Sequence, residues 1–269
     1  MRDGQPSHTA FGAAKHRAVH QDLDHARIFR DPLAWRILGA DKEAVLAEAE
    51  AHSPLRTFIA ARHRVAEDVL AEAAAACTRQ AVVLGAGLDT LAYRNSNPSL
   101  RVFEVDAPAT GARKLERLAE AGIPLPPTVA QVGVDFEDDG FLDALADSGF
   151  KPDAPAFFSL LGVIAYLTRD AVKATLAAVA SLPSAEIVFD YPTPRSEDSP
   201  RAELAARVAR AGEPFESTFE PDEMRLKLEH LGLEIVDEVD RDEIRRRFFG
   251  LRGDGRPANG ARILHVRTA

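Results

Sequence analysis

The residues best placed to do chemistry form the run Val83-Leu84-Gly85-Ala86-Gly87-Leu88-Asp89-Thr90. Two glycines directly after a short apolar segment let the backbone turn tightly and bring its N–H groups close to a ligand. In an open α/β sheet such a turn faces the crevice outside the strand ends, where nucleotides bind. The dinucleotide fingerprint G-x-G-x-x-G needs a third glycine at position 90; Thr90 stands there, which counts against a pyrophosphate ligand such as NAD(P). Asp106 lies 21 residues after Gly85, at the end of Val102-Phe103-Glu104-Val105-Asp106. A carboxylate at that spacing accepts hydrogen bonds from the two hydroxyls of an adenosine ribose. Glu104 shares its strand face, but Asp106 is nearer the carboxyl end and is the better ribose ligand; capping the next helix is its competing role. A third strand end, Val134-Asp135-Phe136, offers a carboxylate to an adenine amino group and an aromatic face to its ring. The three ends together specify a nucleoside site more strongly than any one of them.

Positioning these groups requires a sheet. Ala81–Leu84, Arg101–Val105, Thr128–Val134, Ala156–Leu161, Ala185–Phe189, Leu233–Val239 and Ala261–Val266 read as strands, and amphipathic helical windows (109–121, 139–148, 169–181) separate most of them. That alternation predicts an α/β fold, a doubly wound and mostly parallel sheet. The division expected is a helical N-terminal region (1–78), an α/β core (79–191), an insertion acting as a lid (192–232) and C-terminal strands (233–269). Arg245-Arg246-Arg247-Phe248-Phe249-Gly250 lies between the last two strands, as an edge hairpin or as a loop over the pocket.

Composition bounds the function. The 269 residues hold 33 Lys+Arg against 42 Asp+Glu, a net charge of −9 that repels phosphate polymers, so no nucleic-acid partner is expected. No apolar run reaches the length of a membrane span and no secretory signal opens the chain, which predicts a cytoplasmic protein without a membrane partner. The single cysteine, Cys77, is expected to be buried or half-buried and cannot form an intrachain disulfide. His16, His20 and Asp24 share one helical face at metal-ligand spacing, but Arg17 stands where a metalloprotease motif needs glutamate; a solvated face and no metal are expected.

The ordered combination resembles the leucine carboxyl methyltransferase-like family of S-adenosylmethionine-dependent methyltransferases, bacterial small-molecule members included. The residues carrying it are Thr9-Ala10, Asp31-Pro32-Leu33-Ala34, Ala61-Arg62-His63-Arg64, Leu84 to Thr90 with Arg94, Phe103 to Pro108 with Lys114, Val134-Asp135-Phe136, and Gly162-Val163 with Tyr166-Leu167-Thr168. The resemblance implies a Rossmann-like class I methyltransferase with S-adenosyl-L-methionine as cofactor. It implies that Arg62 pairs with the methionine carboxylate, Gly85, Ala86 and Gly87 line the methionine side, Asp106 holds the ribose, and Asp135 and Phe136 meet the adenine. Many relatives carry an acidic residue before the Gly-Val pair, whereas Leu161 stands here, so that cofactor contact is expected to be missing or supplied by backbone.

The expected activity is O-methylation of a carboxylate or hydroxyl on a small-molecule acceptor, with Tyr166 and Tyr191 as candidates to orient or deprotonate it. The competing readings are a non-catalytic methyltransferase-like nucleoside-binding protein, which Leu161 favours, and an NAD(P)-dependent oxidoreductase, which Thr90 disfavours.

Overall fold

The computed structural model describes residues 8–137, 140–194, 215–252 and 260–269. Four helices precede the sheet: α1 (His8–Leu23), α2 (Ala34–Leu38), α3 (Lys42–Glu48) and α4 (Pro54–Ala75). Their limits follow from local chemistry. Asp41 accepts the Ala44 N–H at 3.0 Å to start α3, Ser53 accepts the Arg56 N–H with Pro54 at the first position of α4, and Gly39 closes α2 at φ 57°.

The strands are β1 (Gln80–Leu84), β2 (Arg101–Asp106), β3 (Val129–Gly133), β4 (Ala156–Leu160), β5 (Ala185–Pro192), β6 (Leu233–Val239) and β7 (Ala261–Thr268). They form one sheet in the order β3-β2-β1-β4-β5-β7-β6; β7 alone is antiparallel to its neighbours. The order reverses between β1 and β4, and the crevice outside their carboxyl ends is the ligand site such a topology provides.

Side-chain alternation along β1 builds a core on each face. Val82 and Leu84 join Phe103, Phe158 and Ile187 beneath α7 (Phe141–Asp147) and α8 (Arg169–Ala180), while Ala81 and Val83 join Phe157 and Val188 beneath α4. A third cluster packs α1 and α2 on α6 (Pro108–Glu120), reaching Leu88 just past the glycine turn. Among the described residues the other helices are α5 (Leu91–Arg94), α9 (Pro221–His230) and α10 (Arg241–Phe249).

Three expectations need correction. The arginine-rich insertion is neither hairpin nor loop but the helix α10, started by Asp240 accepting the Glu243 N–H and stopped by Gly250 at φ 66°. His20 is not on a solvated face: its ring is buried, Nδ1 meets the Asp24 carboxylate at 2.8 Å, and Nε2 accepts the N–H groups of Ile28 and Phe29. That arrangement keeps the imidazole neutral, and burial lowers its pKa. Cys77 is exposed, because it lies two residues beyond Ala75, the last residue of α4, and so is not on the face that the helix buries. Of the lid expected over 192–232, residues 195–214 lie outside the described residues; the helical stretch expected within its second half is α9.

Cys77 holds a left-handed backbone, φ 92°, while its N–H reaches Ala74 O and the Thr78 N–H reaches Ala73 O. This Schellman ending favours glycine at that position, since a Cβ there is strained. Cys77→Gly is therefore expected to raise the unfolding free energy by about 0.5–1 kcal/mol, strain relief outweighing the added chain entropy. Urea denaturation checks this; a lower midpoint at unchanged slope would contradict it.

Candidate cofactor and active site

Gly85 and Ala86 leave β1 with both N–H groups on Val105 O, at 2.8 and 3.1 Å, so the turn is tied to the end of β2. Gly85 sits at φ 68°, and a Cβ there would lie 2.3 Å from Val163 Cγ2. Gly87 sits at φ 42°, and a Cβ there would lie 2.9 Å from the Cβ of Ala10 on α1. Both positions require glycine: the backbone is left-handed and the neighbours leave no room. Asp106 completes the turn. Its Oδ2 accepts the Gly87 N–H at 2.6 Å and its Oδ1 accepts the Ala107 N–H at 2.8 Å. Burial raises the Asp106 pKa, and the two N–H groups only partly offset this.

The neighbouring carboxylate has another task. Glu104 is buried and takes Lys114 Nζ at 2.7 Å, together with the Tyr93 hydroxyl and Gln131 Nε2. Lys114 also reaches Ala86 O at 3.3 Å, so a buried ion pair locks α6 and β2 to the glycine turn. Below the turn, burial would raise the Asp89 pKa, but contact with His63 and the charges of Arg17 and Lys114 hold it well below the ordinary carboxylate value. Arg17 donates to Leu88 O and to Asp31, and Arg94 pairs with Glu67 and approaches the other oxygen of Asp31. Thr90, standing where a third glycine would be, is buried and accepts from Arg94 Nε at 2.8 Å.

Arg62 is not a solvated helix arginine. It is 8% exposed, and its Nη1 donates to Asp190 Oδ2 on β5 at 3.2 Å. Its Nε is buried with no hydrogen-bond partner among the described residues. The guanidinium crosses Gly162, φ 73°, where a Cβ would lie 2.6 Å from both Nη1 and Nη2. The other Asp190 oxygen accepts the Gly162 N–H at 2.6 Å. Leu161 lines a small cavity with His63, Glu67, Asp89 and Ser159. Sequence reasoning missed the roles of Asp190 and Arg17, whose partners Arg62 and Leu88 are distant in the chain, and the Glu104–Lys114 pair, which forms only when α6 packs on β2.

The remaining expected residues divide. Asp135 and Phe136 follow β3 beside Asp106; Asp135 is exposed and accepts the Glu137 N–H, and the half-buried Phe136 leans on Phe141 at 6.4 Å between ring centroids. Tyr166 closes the short 3-10 turn Ile164–Tyr166 after β4, half-buried with its ring against Phe215. Tyr191 is in the core, 1% exposed, packed on Phe189, and burial pushes its phenol up to about 12. Among the described residues no group of three metal-ligating side chains converges and no helix is long and apolar enough to cross a membrane.

The fit to S-adenosylmethionine rests on three features: a tight left-handed glycine turn at the end of β1, a carboxylate beside that turn, and a buried guanidinium nitrogen still without an acceptor. Comparison with known proteins agrees. The chain matches the leucine carboxyl methyltransferase family over residues 10–180. It is 32% identical over 290 aligned residues to the Bacillus subtilis protein named "Putative S-adenosyl-L-methionine-dependent methyltransferase YktD", covering 94% of this chain and 95% of that one. Among solved structures, a Thermobifida fusca protein described as "a putative methyltransferase" superposes with a TM-score of 0.60 at 18% identity, covering 99% of this chain and 96% of that one. Magnesium protoporphyrin IX methyltransferase from Synechocystis, solved with bound SAH, superposes with a TM-score of 0.52 at 13% identity over 95% of this chain and 100% of that one. The fold is thus the Rossmann-like one of class I methyltransferases, and the chain belongs to the leucine carboxyl methyltransferase family, as an S-adenosyl-L-methionine-dependent methyltransferase.

Proposed function

We propose that the enzyme O-methylates a carboxylate or hydroxyl of a small molecule. The observation that carries the placement is the convergence of the Gly85–Gly87 turn, the Asp106 carboxylate and the Arg62 guanidinium at the carboxyl ends of β1, β2, β4 and β5. Arg62 grips the methionine carboxylate through its free donor, Gly85, Ala86 and Gly87 line the methionine side, Asp106 receives the ribose hydroxyls, and Asp135 and Phe136 meet the adenine. When bound, the cofactor supplies an electrophilic methyl group on a sulfonium. The chain has to hold the acceptor in line with that methyl and exclude water; a carboxylate acceptor needs no general base. Of the two tyrosines, Tyr166 retains exposure near the strand ends and is assigned to orient the acceptor, whereas the buried Tyr191 supports the core. The charge of −9 favours a small acceptor over nucleic acid and suits a cytoplasmic enzyme.

Methyl-labelled cofactor incubated with the enzyme and a cell extract tests this. Label in the low-molecular-weight fraction is expected, released as methanol by base if the acceptor is a carboxylate. Label confined to protein or nucleic acid would overturn the small-molecule reading.

Cofactor affinity should also depend on pH. Asp106 ionises above the usual 3.8 because it is buried, and ribose hydroxyls donate more strongly to its ionised form. Binding therefore strengthens as pH rises through that ionisation and releases protons on its acid side. Calorimetry in buffers of different ionisation enthalpy measures the release; none on the acid side would remove Asp106 from the site.

A further inference from the structure

We infer that Asp190 is the acceptor for the α-ammonium group of the cofactor, and that Arg62 and Asp190 together read its amino-acid end as a zwitterion. The inference rests on the cofactor placement proposed above. Leu161 follows directly on β4 and precedes Gly162, and a leucine side chain accepts no hydrogen bond. The structure puts a carboxylate next to that position from a different strand. Asp190 is 6% exposed on β5, with one oxygen on the Gly162 N–H at 2.6 Å and the other on Arg62 Nη1 at 3.2 Å. A carboxylate has about four acceptor sites, so both oxygens retain capacity.

The electrostatics decide the ligand class. Arg62 presents a buried, unsatisfied Nε, a donor suited to a carboxylate. A carboxylate seated there lies beside the negative charge of Asp190 and is repelled by it in a poorly solvated site. The repulsion is cancelled only if the same ligand brings a positive group to Asp190, giving four alternating charges. An α-amino acid end does this; a plain carboxylate does not. Gly162 is the spacer that permits the arrangement, since a side chain there would strike the guanidinium.

The test compares S-adenosylhomocysteine, which carries the amino-acid end, with 5′-methylthioadenosine, which lacks it, by calorimetry on wild type and Asp190→Asn. The amide keeps an oxygen for Gly162 but loses the charge. Affinity for S-adenosylhomocysteine is expected to fall about 10- to 100-fold while that for 5′-methylthioadenosine stays within about twofold. Unchanged affinity for both, or an equal loss for both, overturns the assignment. So does a loss seen with S-adenosylmethionine alone, which would place the effect at the sulfonium. Failure of the wild type to bind either adenosyl ligand overturns the underlying cofactor placement as well. A second measurement needs no variant: the deaminated analogue of S-adenosylhomocysteine should bind wild type about 10-fold or more weakly than the parent, and equal affinity overturns the proposal.

Discussion

Replacing Lys114 by methionine is expected to destabilise the protein by about 3–5 kcal/mol, because it strands the buried Glu104 without a counter-charge. Both side chains are 1% exposed and their charged atoms are 2.7 Å apart. The Tyr93 hydroxyl and Gln131 amide still donate to Glu104, so its hydrogen bonds survive in part but its charge is uncompensated. Adding Glu104→Gln should recover most of the loss, since a neutral amide tolerates the site. Urea denaturation of the two single variants and the double variant checks this. A Lys114→Met protein as stable as wild type would show that the pair does not hold α6 to the sheet.

Asp106→Asn should weaken S-adenosylhomocysteine and 5′-methylthioadenosine by a similar factor, about 30- to 100-fold, because both carry the ribose. Two effects combine. An amide offers the ribose no charged acceptor, and its single oxygen cannot serve both the Gly87 and Ala107 N–H groups that the carboxylate now holds at 2.6 and 2.8 Å. One N–H is left unsatisfied beside the glycine turn, which should also lower stability by about 1–3 kcal/mol. Equal loss for both ligands distinguishes this position from Asp190. Retained affinity in the asparagine variant, shown folded by its melting curve, would count against ribose recognition by Asp106.

The parts of the fold legible in the sequence are those decided locally. Runs such as Ala81–Leu84 are apolar on both faces, and buried parallel strands need that pattern; Gly85 and Gly87 then mark a turn whose positive φ the structure shows. Asp106 was legible because strand length and turn length fix its distance from Gly85. Asp190 was not, since its meaning comes from β5 lying beside β4 and under α4, placing it against Arg62 at a separation of 128 residues. Lys114 stood out only as a matching residue; its partner Glu104 emerged from α6 packing on β2. The helix α10 carried signals that were available, Asp240 as a cap and Gly250 as a stop, but its Arg-Arg-Arg-Phe-Phe run hides the helical stripe. Cys77 and His20 were misjudged because burial depends on where a helix ends and which helix it meets.

The central claim is that the strand-end crevice is an adenosylmethionine site and not a dinucleotide site. Calorimetric titration of the wild-type protein with S-adenosylhomocysteine and with NAD tests it most directly. The expected result is saturable binding of S-adenosylhomocysteine, about one per chain and on the order of micromolar, with no heat from NAD. Binding of NAD that S-adenosylhomocysteine fails to displace would contradict the account.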